Sequence, residues 1–433
     1  MNNYKRIGDY IKSVKVFNSD LRAKELLGIN IDKFFMPSVA NVVGTDLSRY
    51  KIVEKNQFAC NRMHVGRDYR IPVALSDRDE PFMVSPAYDV FEIKDTSILH
   101  AEYLMMWFSR AEFDRNAWFY TDADVRGGLA WKAFCDMQLP VPSIEKQREI
   151  VKEYNTIVNR IKLNEQLNQK LEETARAIYK HWFVDFEFPF DLCQSELVED
   201  LTQIDYSKGY KSSGGEMVWN NELGKEIPKE WEDCNFGEFV ETINGFAFKS
   251  EGFSEYGTIP ILKIKSIQPP IIKTDDVEYY YQEINEQLER VAIERGDILI
   301  TMTGSGVNQI NSAVGQVGRY YYNKKALMNQ RVCKLKPKAE YLNEFIYLFV
   351  SSEEIHMNLL YGSTGSANQA NISPNQIKSL KTISPNKEIL IAFENIVSKI
   401  SDCKRIPQQD KLIELKNLLL SKMTKVETEK EVV

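Results

Sequence analysis

SIEKQREIVKEYNTIVNRIKLNEQLNQKLEETARAIYKHWF, residues Ser143–Phe183, contains neither glycine nor proline and repeats its apolar positions with a helical period. Ile150, Tyr154, Ile157, Ile161, Asn164, Asn168, Leu171, Ala175, Ile178 and Trp182 alternate spacings of four and three, which places them on one stripe of an α-helix. Ser143 is a hydroxyl N-cap, and Glu145 puts negative charge in the first turn, where the helix dipole favours it. A helix this long with so narrow a seam is not stable alone, because its stability comes from burying the apolar face. The sequence therefore demands a partner helix, and the second half offers one. Ser384-Pro385 supplies an N-cap with proline at the first helical position, and Ile389, Phe393, Ile396, Ile400 and Cys403 lead on to Leu412, Leu415, Leu419 and Met423. Pro407 interrupts this second pattern and predicts a kink or break near Arg405–Gln409.

Working outward, the two helix starts align without gaps. LPVPSIEKQREI (Leu139–Ile150) matches LKTISPNKEILI (Leu380–Ile391) at an offset of 241 residues. Upstream, EYLMMWFSR (Glu102–Arg110) matches EFIYLFVSS (Glu344–Ser352) at nearly the same offset. Two matches in the same order point to an internal duplication; two unrelated α/β domains with coincidental helices are the alternative. The expected fold is α+β: two mixed α/β recognition domains separated by two long antiparallel spacer helices in a pseudo-twofold repeat. The divisions are a first domain at 1–142, a spacer helix at 143–183, an acidic linker at 184–221, a second domain at 222–383, a second helix at 384–425 and a tail at 426–433.

Length and composition agree. At 433 residues the chain exceeds one ordinary core, and 43% apolar residues suffice for packed domains. The beginning, MNNYKRIGDYIKSVKVF, lacks the apolar run of a signal peptide. No run of about 18 apolar residues reads as a membrane span. Cys60, Cys135, Cys193, Cys234, Cys333 and Cys403 form no CxxC pair, which fits a cytoplasmic protein and offers no metal site. The net charge of −7 is local: between Val184 and Glu230 eleven acids face four lysines, so the remainder is neutral. The segment Glu187–Asn221, with GYKSSGGEM, reads as an exposed linker or a solvated flap.

Catalytic apparatus is missing from the sequence. There is no GxxxxGK[ST] phosphate loop. Gly304-Ser305-Gly306 opens a GxG pattern, but Gln309 stands where a dinucleotide fingerprint needs its third glycine. Gln268-Pro269-Pro270-Ile271 lacks both the amide-binding Asn/Asp and the aromatic of an amino-methyltransferase loop. His64, His100, His181 and His356 are isolated, without metal-ligand spacing.

Charge is instead segregated. Between Asp297 and Glu340 there is no acid for 42 positions, while Arg319, Lys324, Lys325, Arg331, Lys334, Lys336 and Lys338 occur there. Tyr320, Tyr321, Tyr322, Asn308, Gln309, Asn311, Asn329 and Gln330 accompany them. Cations suit phosphates, and Asn, Gln and Arg make bidentate hydrogen bonds to purine edges. A second acid-free window, Gly257–Thr274, adds Lys263, Lys265 and Lys273; the first half has Arg62, His64 and Arg67, then Arg70 and Arg78. The competing reading is a solvated strand face with chance clustering of charge.

These segments together resemble the specificity subunits of Type I restriction–modification systems. The second half opens LGKEIPKEWEDCNFGEFV (Leu223–Val240) and continues through INGFAFKSEGF, IPILKIKSI and RGDILITMTGSG (Arg295–Gly306). The first half has YKIVEKNQFACNRMHVGR (Tyr50–Arg67), MVSPAYDVFEI (Met83–Ile93) and LPVPSIEKQREIV, with ARAIYKHWFVDFEFPF after the spacer. It departs from the pattern in lacking an IPxxW opening, and Pro407 departs from it in the second helix.

The resemblance implies a non-catalytic reader of double-stranded DNA, each domain taking one half of a split asymmetric site. It implies two methyltransferase subunits as partners, two restriction (motor-nuclease) subunits in the full complex, and no membrane. S-adenosylmethionine and ATP with Mg would then belong to those partners, with no cofactor in this chain. At about 1.5 Å per residue, Ser143–Trp182 spans roughly 60 Å, enough to hold half-sites about 34 Å apart.

On this reading Arg62, His64, Arg67, Arg70, Lys263, Lys265, Lys273, Asn308, Arg319, Lys324, Lys325, Asn329, Gln330 and Arg331 face DNA. Ile150, Tyr154, Ile157, Ile161, Leu171, Ile178, Trp182, Phe393, Ile396, Ile400, Leu412, Leu415 and Leu419 form the helix–helix seam. The alternatives are a coiled-coil scaffold that does not bind DNA, a specificity subunit of a related defence or methyltransferase system, and an enzyme with divergent motifs.

Overall fold

The computed structural model describes residues 4–40, 44–63, 65–121, 127–193, 205–305, 312–366 and 369–423. The chain divides into two compact units: Met1–Leu163 with Gln409–Val433, and Asn164–Gln408. Both recognition modules expected from the sequence fall within a single unit each. The long helix and the second helical segment are instead shared out between the two units.

The two units repeat one topology. In unit 1 a sheet runs Ile11–Val14, Asp89–Ile93, Phe58–Cys60, Val73–Leu75. In unit 2 the first four strands of a larger sheet run Val240–Asn244, Val332–Pro337, Ile298–Thr301, Val317–Arg319. In both, the strands take the chain order first, fourth, second, third, and every pairing is antiparallel. Helices of eight and nine residues follow each sheet: Ala101–Phe108 and Ala111–Phe119, then Asn343–Val350 and Glu353–Tyr361. Each module is closed by pairing its opening strand with the strand that precedes its helical arm: Tyr4–Arg6 with Gln138–Pro140, and Glu232–Asn235 with Lys381–Ser384. The duplication inferred from two short matches therefore extends to the four-strand order, the helix pair and the closing strands of each module.

The long helix spans Ile144–Phe183 without interruption. Ser143 Oγ accepts from the Lys146 N–H at 3.3 Å, as an N-cap should. Every seam position from Ile150 to Trp182 is buried or half-buried. Its first turns join the unit 1 core: Ile150, Val151 and Tyr154 pack in one cluster with Leu420 and Met423. Gln147, fully buried, donates to the Ile98 and Pro142 carbonyls and accepts from the His100 N–H, pinning the helix start to its module. Its last turns join the unit 2 core, where Phe393 meets Trp182 and Phe183 at centroid distances of 5.6 and 4.8 Å. Burying an aromatic of this size contributes about 1.5–3 kcal/mol.

Four expectations need correction. The second helical segment is two helices, Lys387–Asp402 and Ile406–Lys422, and the break expected from Pro407 falls slightly earlier than predicted, at Cys403–Arg405. Pro407 sits in the first turn of the second one, where its missing N–H costs nothing. Ser384 ends a strand and Asn386 takes the cap position instead. Leu415 is 42% exposed, because the restarted helix turns Leu412, Leu419, Leu420 and Met423 inward and leaves Leu415 beside that stripe. Finally, the segment after the long helix is not simply a solvated linker. Phe186, Phe188, Leu192 and Tyr210 are buried with Trp231 in the unit 2 core, Phe188 stacking on both Tyr210 and Trp231. Its acids, counted by composition, hid the aromatic FEFPF that holds it down. The tail from residue 424 lies outside the described residues.

Candidate nucleic-acid interface

In each module the strand that feeds the helical layer, Asp89–Ile93 or Val332–Pro337, begins at the opposite end of the sheet, beside the end of the neighbouring strand. Cys60 pairs with Asp89 in unit 1, and Thr301 with Val332 in unit 2. The loops there are Asn61–Met63 and Ser85–Tyr88 in unit 1, and Met302–Ser305 and Asn329–Arg331 in unit 2. Binding residues collect on loops at the ends of sheets, and here these loops are anchored, Met302 in the unit 2 core and Arg62 by Asp89 and Leu129.

In unit 2 this end is built from close backbone approaches. The Phe246 N–H donates to the Met328 carbonyl, Gln330 N–H to Phe246, and Met302 N–H to Arg331. A Cβ on Gly245 would lie 2.0 Å from the Asn329 carbonyl oxygen, so only glycine fits. Thr303–Gly304 pairs with Gln369–Asn371, which pairs with Thr364–Ser366 in a three-stranded sheet.

Composition converges here. Thr303–Gly304 comes from the acid-free stretch after Asp297, and both hairpin strands come from a second acid-free stretch, Ile355–Lys387. Gln330, Arg331 and Gln369 are exposed, and neither Lys273 nor Arg331 forms an ion pair among the described residues. Acid-free stretches bearing exposed Arg and Gln suit phosphate contact and purine-edge reading. The second acid-free stretch was the sequence signal for Gln369, and the search for lysine and arginine passed over it because it holds few cations.

The basic window itself is not one face. Arg319 is a correction: it is 3% exposed, bound to Glu344 (2% exposed) and to Ser401, so it faces the core and not DNA. Lys334 is paired with Asp297 at 2.6 Å. Lys324, exposed over the Tyr279 ring, and Lys325, paired with Glu289, precede the strand Ala326–Met328, whereas Asn329, Gln330 and Arg331 follow it. Lys263 is held by Glu278 and Lys265 by Asp276.

In unit 1, Arg62 is mostly enclosed: it pairs with Asp89 at 2.6 Å, donates to the Leu129 carbonyl and stacks over Trp131. It holds a loop in shape, which corrects its assignment as an open phosphate contact. Arg67 and Arg70 are exposed and pair with Asp68 and Asp32. His64 and Asn308 lie outside the described residues. The reading of charge alone missed Tyr69, Trp118, Phe119 and Tyr120, all exposed, with Tyr69 on Trp118 and Phe119 on Tyr120; the tripeptide Trp-Phe-Tyr was their signal. Tyr69 also lines a cavity of about 560 Å³ with Lys33, Arg70, Asp114 and Tyr154. Within it Lys33 is buried against Asp114, and burial pulls its pKa below the usual lysine value.

Among the described residues no group of three His, Cys, Asp or Glu is placed to hold a metal. No described helix is long and apolar enough to cross a membrane.

Comparison with known proteins agrees with this architecture. The family model for the Type I restriction modification DNA specificity domain matches residues 228–417. The specificity subunit of the Type I restriction enzyme HindI from Haemophilus influenzae is 22% identical, with 90% of this chain and 91% of that protein aligned. The MjaIX specificity subunit from Methanocaldococcus jannaschii is 29% identical over 33% of this chain and 29% of its own. Among solved structures, the Type I restriction–modification S subunit from M. genitalium shares the fold, with a TM-score of 0.55 at 14% identity over 97% of this chain and 95% of that one. With its repeated modules and shared helices, the chain is similar along most of its length to Type I restriction–modification specificity subunits, and residues 228–417 match their DNA specificity domain.

Proposed function

We propose that this chain reads a split, asymmetric DNA site, one half-site per module, with the loop end of each sheet directed into the major groove. The observation that carries this reading is the repetition of one sheet end in both units, which in unit 2 brings two acid-free stretches together around Gln330, Arg331 and Gln369. Arginine and glutamine there suit guanine and adenine edges, while the surrounding backbone amides and hydroxyls suit phosphates.

The chain itself contributes no catalysis in this scheme. It recruits two adenine methyltransferase subunits, which bring S-adenosylmethionine, and in the full assembly two motor-nuclease subunits, which bring ATP and Mg. The outer faces of the helices, where Leu163, Leu167, Leu415 and Leu418 are exposed, are the docking surface for the methyltransferases. Charge reversals along those faces should abolish the complex.

The test is co-expression with the methyltransferase subunit of the same system, followed by sequencing of methylated adenines. A split motif with a fixed gap, lost when this chain is deleted, is the expected result. No complex and no motif would instead favour a scaffold that does not bind DNA, whose DNA association would be weak and insensitive to salt.

A further inference from the structure

The break at Cys403–Arg405 is stitched on every side within unit 2. Lys404, 2% exposed, places its ammonium 2.6 Å from Glu172 on the long helix and 2.9 Å from the Tyr321 hydroxyl. Glu172 is itself enclosed, accepting from Arg176 at 2.9 Å and from the Tyr347 hydroxyl at 3.1 Å. One residue on, the Arg405 N–H donates to Asn168 Oδ1 at 2.7 Å, so a seam asparagine caps the backbone that the break sets free. On the other side of the break, Ser401 accepts from Arg319, whose guanidinium also binds Glu344 and lies over the Tyr347 ring. Arg319 ends a strand of the recognition sheet, and Tyr321 follows it. The break, the long helix and the recognition sheet therefore meet in one buried ionic cluster.

Such a cluster is a poor source of stability. Buried ion pairs barely repay their desolvation, and well-packed apolar replacements are often neutral or better. Here Arg319 Nε and Glu344 Oε2 are buried without partners among the described residues, a further cost. What such a cluster supplies, and an oily contact does not, is a single register: shifting the sheet by one position along the helices would break the hydrogen bonds that cross between them, Tyr347 to Glu172, Lys404 to Tyr321 and Arg319 to Ser401, and leave these buried charges under-satisfied.

We propose that Glu172, Lys404, Arg319 and Glu344 are positioning residues that lock the second module in one register on the spacer helices, and thereby fix the permitted gap between the two half-sites. This rests on the split-site reading above, and the test separates the two. Methylated adenines are mapped with the intact chain and its methyltransferase partner for wild type and for Glu172→Gln with Lys404→Met. That pair leaves no buried charge unpaired, Arg176 being half exposed, and keeps an acceptor for Arg176 and Tyr347.

If wild type yields no split motif, the split-site reading fails. If it does, the variant is expected to keep both half-site sequences but to methylate sites whose gap differs by one base pair, about tenfold more than wild type does, a change equivalent to roughly 1.4 kcal/mol of lost discrimination. A variant that folds, assembles and stays confined to the wild-type gap overturns the proposal. Should that variant fail to assemble, Arg319→Met with Glu344→Leu is scored by the same criterion, and strict retention of the gap again overturns it.

Discussion

The two units carry the same module but fasten it to the helices by opposite means. In unit 1 the contact is apolar, Ile150, Val151 and Tyr154 against Leu420 and Met423, with Gln147 as the polar pin. In unit 2 an aromatic cluster around Phe393 is supplemented by the buried charges of Glu172, Lys404, Arg319 and Glu344. Apolar surfaces repack when shifted, losing area gradually, whereas buried charges have one satisfactory arrangement. The duplicated halves thus divide two duties, unit 1 contributing adhesion and unit 2 contributing register.

The largest effect expected from this contrast is that of Lys404→Met alone. It leaves Glu172 buried with only the half-exposed Arg176 opposite, and unit 2 should lose about 3–5 kcal/mol, read by hydrogen exchange of its core amides. A loss smaller than that of the double replacement with Glu172→Gln would erase the distinction between the units. In unit 1, Leu420→Ala removes packing without stranding a charge and should cost about 2–4 kcal/mol, confined to exchange in unit 1.

Next comes pH. Glu394 is pushed up to about 7, chiefly by burial, although its carboxylate accepts the Glu344 N–H at 2.8 Å; Glu344 faces it as a like charge and Arg319 as the counter-charge. Its folded pKa lies above the unfolded one, so the folded state holds the proton more tightly. The corresponding stability is present below about pH 4.5 and is lost as pH rises towards 7. Unit 2 should lose on the order of 2–3 kcal/mol across that range, and Glu394→Gln should flatten the profile and leave the variant the more stable at pH 8. An unchanged slope in the variant would place the titration elsewhere. The smallest effect is that of Asn168→Leu, which removes the acceptor for Arg405 and should cost about 1 kcal/mol; no change would mean that water caps the break equally well.

The helical half of this architecture was legible because its period is local. Spacings of four and three named ten positions from Ile150 to Trp182 that are all buried or half-buried, though not the buried Val151 and Glu172, and Pro407 announced the break. Beyond the break Leu412, Leu419 and Met423 were placed correctly, but a few irregular residues reset the helix phase and Leu415 went to the wrong side. The module topology was visible only as an offset between two short segments, because strands of three or four residues leave little periodicity to read. The site was the least legible. Composition reports that Arg319 is charged but not that Glu344, 25 positions away, is buried beside it. It favoured cations over the acid-free stretch that carries Gln369, and it passed over Trp118, Phe119 and Tyr120, whose exposure depends on the fold around them.

Split-site reading is tested most directly by the methylated motif produced with Gln330→Ala and Arg331→Ala together. If each module reads its own half-site through the loop end of its sheet, the bases of one half-site should change or relax, while the other half-site and the gap stay as in wild type. A folded, assembled variant whose motif is unchanged in both halves, or lost equally from both, would contradict it.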